Sequence, residues 1–275
     1  MIGAARQDLR VLPHVIAYEW RKASAFRVGL VVREMLRGLG RPAVALFVYF
    51  AMFESSGARE LGGYTLPALV GYLVWTAILY KCLTDEHSLD VHEQIFDGYI
   101  TKYLVMPVGF FTLVLGRFVQ LTGIQLLSAV LFWCAGALLL PDYWPYPSSA
   151  LAFAQAFLLL GLGAYCYLLV HFILCCLAFW LDVVWSLLNM FRFIASFVSG
   201  VLVPVAFMPE AVQAAFRWLF PYWTLFAPAE LLLGRMGTPD AIQGAAVLCV
   251  WIVALQLLAS TVWRRGIARF AGAGA

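Results

Sequence analysis

Apolar positions in this chain gather into long runs separated by short polar stretches, not into the narrow stripes of a water-facing helix. A helix needs about 20 residues to cross the roughly 30 Å hydrocarbon core of a bilayer. Six runs meet that scale, giving spans at about 28–53, 65–84, 112–140, 150–181, 183–203 and 241–263. The second, "TLPALVGYLVWTAILYKCLT", is the clearest. The first carries Arg33, Glu34, Arg37 and Arg41 in its first half. Charge at the bilayer centre is costly and long side chains snorkel to the edge, so "PAVALFVYFAMF" is expected in the core. The apolar run from Val108 to Leu140 contains Arg117 and Gln120 and exceeds one crossing, so its start is expected at the interface or tilted. The pattern predicts an all-α integral membrane protein, with 1–275 as one transmembrane domain.

Two segments fit neither a span nor a plain loop. Residues 1–25 mix Val15, Ile16, Tyr18 and Trp20 with Glu19, Arg21 and Lys22, which suits a helix lying in the membrane interface, with Pro13 in its first turn. The stretch "VSGVLVPVAFMPEAVQAAFRWLFPYW", Val198–Trp223, runs an apolar helix into Pro204 and Pro209. A short amphipathic piece, Ala211–Phe220, follows and Pro221 is expected to stop it. It is too short to span and, with Phe216, Trp218, Leu219 and Trp223, too apolar for an ordinary loop. A re-entrant or interfacial helix fits, because irregular backbone at membrane depth is tolerated where protein or a water-lined cavity covers it.

Composition closes off the soluble alternative. The 275 residues are 64% hydrophobic and 12% charged, with mean hydropathy +0.88. No short apolar core with a cleavage site follows Arg6, Asp8 and Arg10, so no cleavable signal peptide is expected. Basic residues cluster at Arg6, Arg10, Arg21, Lys22 and Arg27, at Lys102, and at Arg264, Arg265 and Arg269. On the other side Arg59, Arg217 and Arg235 are diluted by Glu54, Glu60, Glu210, Glu230 and Asp240. This asymmetry places both termini in the cytoplasm and the loops near 54–64, 141–149 and 204–240 outside. The net charge of +3 argues against nucleic-acid binding. Cys82, Cys134, Cys166, Cys175, Cys176 and Cys249 all sit in or beside apolar runs without a C-x-x-C pair, as packing residues do.

Candidate chemistry is sparse. A phosphate-binding loop needs Gly before its Lys, and none of Lys22, Lys81 and Lys102 has one, so any ATP hydrolysis belongs to another chain. His171 and Ser199 are the pieces a lipid-directed membrane hydrolase would need. A lone His in an apolar span is more often a packed, hydrogen-bonded residue. His87 and His92 are not on one helical face, and no metal site is expected. The segment after the second span alternates Asp85, Glu86, Asp90, Glu93 and Asp97 with Leu89, Ile95, Phe96, Tyr99, Ile100 and Tyr103, with Gly98 able to cap it. It reads either as a solvated helix or as a docking helix with an acidic face and an aromatic anchor. On the fifth span Asp182, Trp185, Asn189, Arg192, Ser196 and Ser199 share roughly 100° of helical arc. An ionisable residue there faces protein or water, either in a functional stripe or in a structural pair with a neighbouring carboxylate. Ala152 with Ala156, and Gly161 and Gly163 with Ala164, suit close helix packing.

Two stretches resemble the permease subunits of ABC-2 type exporters: "IFDGYITKYLVMPVGFFTLVLGRF", Ile95–Phe118, and "FVSGVLVPVAFMPEAVQAAFRWLFPYWTLFAPAELLLG", Phe197–Gly234. The first has a Gly-bearing helix, a Leu-x-x-Pro element and an Arg entering the third span. The second has the small-residue span end, the paired prolines, a short helix and a Pro-to-Gly approach to the last span. The resemblance implies a permease without its own ATP site, exporting a substrate across the inner membrane. ATP and Mg would bind a separate pair of ATP-binding subunits, and a second permease, identical or related, would complete the pathway. Asp85, Glu86, Leu89, Glu93, Phe96, Asp97 and Gly98 would form the coupling helix. Asn189, Arg192, Ser196 and Ser199 would line the pathway. Pro204, Pro209, Trp218 and Pro221 would belong to an outer re-entrant segment, and the basic start would be an interfacial elbow helix. The competing readings are a lipid-directed membrane enzyme and a non-transporting scaffold. Aromatic outer residues such as Trp144, Trp218 and Trp223 fit either amphipathic cargo or an ordinary interfacial belt.

Overall fold

The structure, a computed structural model, describes residues 2–23, 40–57, 59–83, 91–139, 141 and 144–272. Its regular elements are helices, with one isolated bridge between Leu61 and Tyr64. In chain order they are α1 (Ile2–Ala23), α2 (Gly40–Ser56), α3 (Leu66–Lys81), α4 (Val91–Phe96), α5 (Ile100–Leu104), α6 (Phe110–Leu139), α7 (Ala150–Cys176), α8 (Trp185–Val198), α9 (Glu210–Phe216), α10 (Ala227–Leu232) and α11 (Thr238–Gly272). Among the described residues, three helices are long and apolar enough to cross a membrane: Phe110–Leu139, Ala150–Phe179 and Thr238–Phe270. Three shorter apolar helices occupy Val44–Ser55, Leu66–Lys81 and Trp185–Val198. Arg33, Glu34 and Arg37 lie outside the described residues.

Local signals explain several boundaries. Thr65 is extended ahead of α3, with Pro67 in the first turn, where its missing N–H is harmless. Ser149 caps α7 by accepting from the Ala152 amide at 3.0 Å, ending the Pro-rich loop before it. The long apolar run expected to begin at the interface is one unbroken helix from Phe110.

α7 is the central post. It packs most extensively on α11 and also touches α4, α8, α10 and the turn of π-helix at Tyr222–Phe226. Missing side chains make these approaches possible. A Cβ on Gly163 of α7 would lie 2.2 Å from Thr224 Oγ1, and one on Gly244 of α11 would lie 2.4 Å from Trp223 Cε3. At the opposite end of α7, Phe110 stacks on Trp263 with centroids 5.0 Å apart, and Phe172 and Phe179 close around the same indole.

Three expectations are corrected. Pro13 sits inside α1, not in its first turn. α1 lies along α6: Cβ atoms on Gly116 and Gly123 would meet Val15 and Trp20 in turn, so the two helices run in the same sense. The fifth apolar helix stops at Val198, ahead of Pro204. Gly200, at φ +76°, ends it. The Val201 amide bonds Ser196 O at 3.2 Å and the Gly200 amide bonds Phe197 O at 3.2 Å, the paired bonds of a Schellman cap.

The third correction concerns the segment beyond. α9 ends at Phe216 and buries none of its residues against the rest of the protein. Pro221 does not stop it; Pro221 opens the next helical stretch, through the π turn into α10. Every residue from Phe220 to Leu232 is buried. A fixed φ near the start of a helix is favourable, whereas in an interior it is not, which is why proline initiates here. The apolar piece that inserts among the long helices is therefore Phe220–Leu232, not Ala211–Phe220.

Candidate functional site

Two ends of the molecule carry chemistry. At the α4 end, the short helix presents two faces. Val91 and Ile95, with Ile100 beyond them, are buried, and α4 packs on α7 and on the 3-10 turn Leu177–Phe179. Glu93, Asp97 and Tyr99 are exposed, and Phe96 is 65% exposed. The Asp97 amide closes the last turn on Glu93 O at 2.9 Å, and Gly98 then turns the chain at φ +73° with open space where a Cβ would be. The Lys102 ammonium lies 4.7 Å from the Tyr103 ring centroid, and Tyr103 packs edge-on against Phe110. Lys102 also lies 5.6 Å from the Tyr99 ring centroid, so a chain of ring contacts runs from Tyr99 through Tyr103 to Phe110 and Trp263. Asp85, Glu86 and Leu89 lie outside the described residues.

On α8 the polar stripe is shorter than the sequence suggested. Asp182 precedes the helix, so the shared arc covers Trp185 to Ser199 only. Asn189 Nδ2 donates to Trp185 O at 3.0 Å, and Ser199 Oγ donates to Ser196 O at 3.2 Å. Arg192 is half-buried, while Ser196 and Ser199 are buried. The stripe therefore passes from an exposed start at Trp185 to a covered end beneath the Gly200 cap. His171 lies 3.4 Å, Nε2 to Sγ, from Cys175 one turn on, and Ser199 is committed to its own helix, so each hydrolase candidate is held locally.

The other end holds a buried carboxylate. α10 finishes in a second Schellman cap: Gly234, at φ +73°, bonds Leu231 O through its amide, and the Arg235 amide reaches Glu230 O at 2.9 Å. That cap folds Arg235 back over Glu230, where its Nε donates to Oε2 at 2.9 Å. Tyr64 Oη donates to the second oxygen, Oε1, at 2.6 Å. The guanidinium lies 3.9 Å from the Tyr64 ring centroid, and its Nη1 donates to Gly63 O at 3.0 Å. Glu230 is only 5% exposed. Burial pushes its carboxyl above the usual range, and the Tyr64 hydrogen bond and the Arg235 charge pull it back. The Tyr64 hydroxyl is driven up by burial first and by Glu230 second. Phe207 stacks on both Tyr49 and Tyr64, filling the space over Gly62.

Residues 39–274 match the family described as ABC-2 family transporter protein. The chain belongs to that family. It is therefore a multi-pass membrane protein of the ABC transporter class, a transport permease. No curated protein matches the chain.

The permease brings some of its sequence candidates together and separates others. Glu93, Phe96, Asp97 and Gly98 share one segment at the α4 end. Asn189, Arg192, Ser196 and Ser199 share one helix and its cap. Pro204 is buried, Pro209 and Trp218 are exposed, and Pro221 lies in the inserted stretch. Tyr64, Glu230 and Arg235 were absent from the candidates. The i, i+5 bracket of Glu230 and Arg235 around a helix-ending Gly234 was the available signal.

Proposed function

We propose that this chain is the membrane half of an ATP-driven exporter, hydrolysing nothing itself and working with a separate dimer of ATP-binding subunits that carries ATP and Mg. The observation that supports this best is the two-faced α4 segment: Val91 and Ile95 are seated on α7 while Glu93 and Phe96 project away from the protein. A helix solvated for its own sake has no need of an exposed phenylalanine beside a carboxylate; a docking helix does. In this reading the six apolar helices are six spans, both termini and α4 lie in the cytoplasm, and the membrane is the inner membrane. Closure of the ATP-bound partners pushes α4, and Tyr103, Phe110 and Trp263 pass the push to α6, α7 and α11. Two permeases, identical or related, face one another across the pathway, with Asn189, Arg192 and Ser196 along it. Phe220–Leu232 is the re-entrant element and α9 the outer surface helix. Substrate leaves because the ATP-bound arrangement binds it less well than the competing one.

Co-expression with an ATP-binding subunit encoded nearby, followed by purification from membranes, tests the reading. The expected result is a stable complex whose ATPase activity depends on the permease. Separation of the two chains, with ATPase activity indifferent to Glu93→Arg and Phe96→Ala, would sink it.

A further inference from the structure

Two indole nitrogens of this fold find a carbonyl: Trp223 Nε1 donates to Arg217 O at 2.6 Å and Trp251 Nε1 to Trp218 O at 2.9 Å. Three others do not. Trp75, Trp133 and Trp144 keep Nε1 buried, and none has an acceptor among the described residues. The three come from different elements and meet in one cluster. Trp75 of α3, 2% exposed, stacks on Trp133 of α6 with centroids 6.3 Å apart. Tyr146 stands edge-on to Trp133 at 5.7 Å, and Trp144 edge-on to Phe132 at 5.9 Å. Two glycines bring the loop down on the helices. A Cβ on Gly136 would overlap the Trp144 ring, and one on Gly71 would lie 3.4 Å from Pro145 Cβ. The loop Trp144–Tyr146 therefore covers a seam between α3 and α6.

A buried donor without a partner costs the desolvation of that group, so native folds rarely keep one, and three in one ring cluster require a cause. An indole nitrogen only donates, so whatever completes the seam must bring acceptors. The surrounding rings call for an apolar body on the same molecule. Beside the seam α6 exposes Val130, Leu131, Leu138 and Leu139, a surface suited to hydrocarbon and not to water. A tryptophan of an ordinary interfacial belt keeps its polar end wet, whereas these nitrogens are covered. The donors also lie at stepped depths. At about 1.5 Å per helical residue, Trp75 lies about 13 Å past the Leu66 start of α3 and Trp133 about 9 Å before the Leu139 end of α6, with Trp144 beyond that end.

We propose that this seam is a phospholipid site. One lipid enters between α3 and α6 beneath Trp144–Tyr146, its ester and phosphate oxygens accept from the indole nitrogens, and its chains lie along the exposed apolar face of α6. The Trp144 ring leaves Gly136 to admit it. Ionised oxygens make the stronger acceptors for such donors, which favours the phosphate end. The site belongs to this chain alone and does not depend on an ATP-binding subunit docking at α4.

Indole nitrogen resonances of the full chain, labelled with 15N at tryptophan, stripped of lipid and held in amphipol, test the site. One titration uses dioleoyl phosphatidylglycerol; a parallel one uses hexadecane, which supplies chains without oxygens. The expected result is a saturable downfield shift of the Trp75 and Trp133 indole protons with the phospholipid and none with hexadecane. The double variant Trp75→Phe with Trp133→Phe keeps aromatic rings at both positions and removes two donors. It should weaken phospholipid binding at least about tenfold. The melting temperature of its lipid-free form should be no lower than that of wild type, because no native hydrogen bond is lost. If the double variant fails to fold, Trp144→Phe should weaken binding in smaller measure. Indole protons already downfield before lipid is added would overturn the proposal, since water or protein would then hold the donors. So would equal shifts with hexadecane, wild-type affinity in a folded variant, or a lowered melting temperature in the lipid-free double variant.

Discussion

Tyr64 and Glu230, 166 positions apart, share a 2.6 Å hydrogen bond in the protein interior, with Arg235 closing the carboxylate's other side. Removing one partner of a buried ion pair typically costs about 3–5 kcal/mol, because a charge is left uncompensated. The Arg235 side chain is 33% exposed and can turn to water, so Glu230→Ala should fall at the low end, about 3 kcal/mol. Tyr64→Phe keeps the ring beneath the guanidinium and loses one hydrogen bond to a charged group, about 1.5–3 kcal/mol. Thermal unfolding of the detergent-solubilised chain should rank wild type above Tyr64→Phe above Glu230→Ala. Equal melting temperatures would mean the cluster bears no load.

The same carboxyl gives a pH dependence with a definite sign. Its folded-state pKa lies above the ordinary 4.5, with burial the largest cause. Between 4.5 and that raised value the folded protein holds a proton that the unfolded chain has released, so stability falls as pH rises. This contribution is complete below 4.5 and is lost as pH climbs through the folded value. The groups facing the carboxyl are Tyr64 and Arg235, with Tyr72 and Tyr222 close enough to feel it. The melting temperature of wild type minus that of Glu230→Gln, followed from pH 4 to pH 8, should therefore decline. A difference that grows with pH would show Arg235 outweighing burial.

Gly161 and Gly163 lie two residues apart on α7 and should respond oppositely to alanine. A Cβ at Gly163 would come within 2.6 Å of three Thr224 side-chain atoms, including its Cβ. Overpacking of this kind costs about 1–3 kcal/mol. At Gly161 nothing lies within 4 Å, and alanine's better helix propensity should stabilise by up to about 1 kcal/mol. Thr224→Ala should recover part of the Gly163→Ala loss by removing Oγ1 and Cγ2. Unfolding midpoints of the three variants and the double variant measure this directly.

The helical membrane character was legible because each apolar run is long enough to declare itself, and the three longest helices fall where the third, fourth and sixth runs do. The fifth helix ends before its apolar run does, because Gly200 caps it, and a glycine cap ends a helix as surely as a proline breaks one. Pro221 terminates nothing; its fixed backbone starts the buried stretch. Proline serves the start of a helix and obstructs its interior, and residue type alone does not say which applies. In sequence Glu230 and Arg235 are only loop charge, since nothing local distinguishes a buried carboxylate from a loop carboxylate. Its deciding partner, Tyr64, is fixed by tertiary packing of the α2–α3 turn and leaves no spacing pattern.

Phe96 and Glu93 offer the sharpest separation of fold from function. Both project from a helix whose other face, Val91 and Ile95, is anchored on α7. Surface substitutions away from buried contacts usually move stability by no more than about 0.5 kcal/mol. A central aromatic anchor in an interface can contribute about 2 kcal/mol or more of binding. Phe96→Ala and Glu93→Arg should therefore leave the melting temperature of the isolated chain unchanged while weakening association with an ATP-binding subunit at least thirtyfold. Ile95→Ala should do the reverse first: it removes a side chain from the α7 contact and lowers the melting temperature, with weakened association following from the loosened helix. Binding measured by fluorescence anisotropy, with thermal unfolding run in parallel, distinguishes the two. If Phe96→Ala bound as wild type does while remaining fully folded, the exposed face of α4 would be solvated surface, and the push from the partner would have to enter elsewhere.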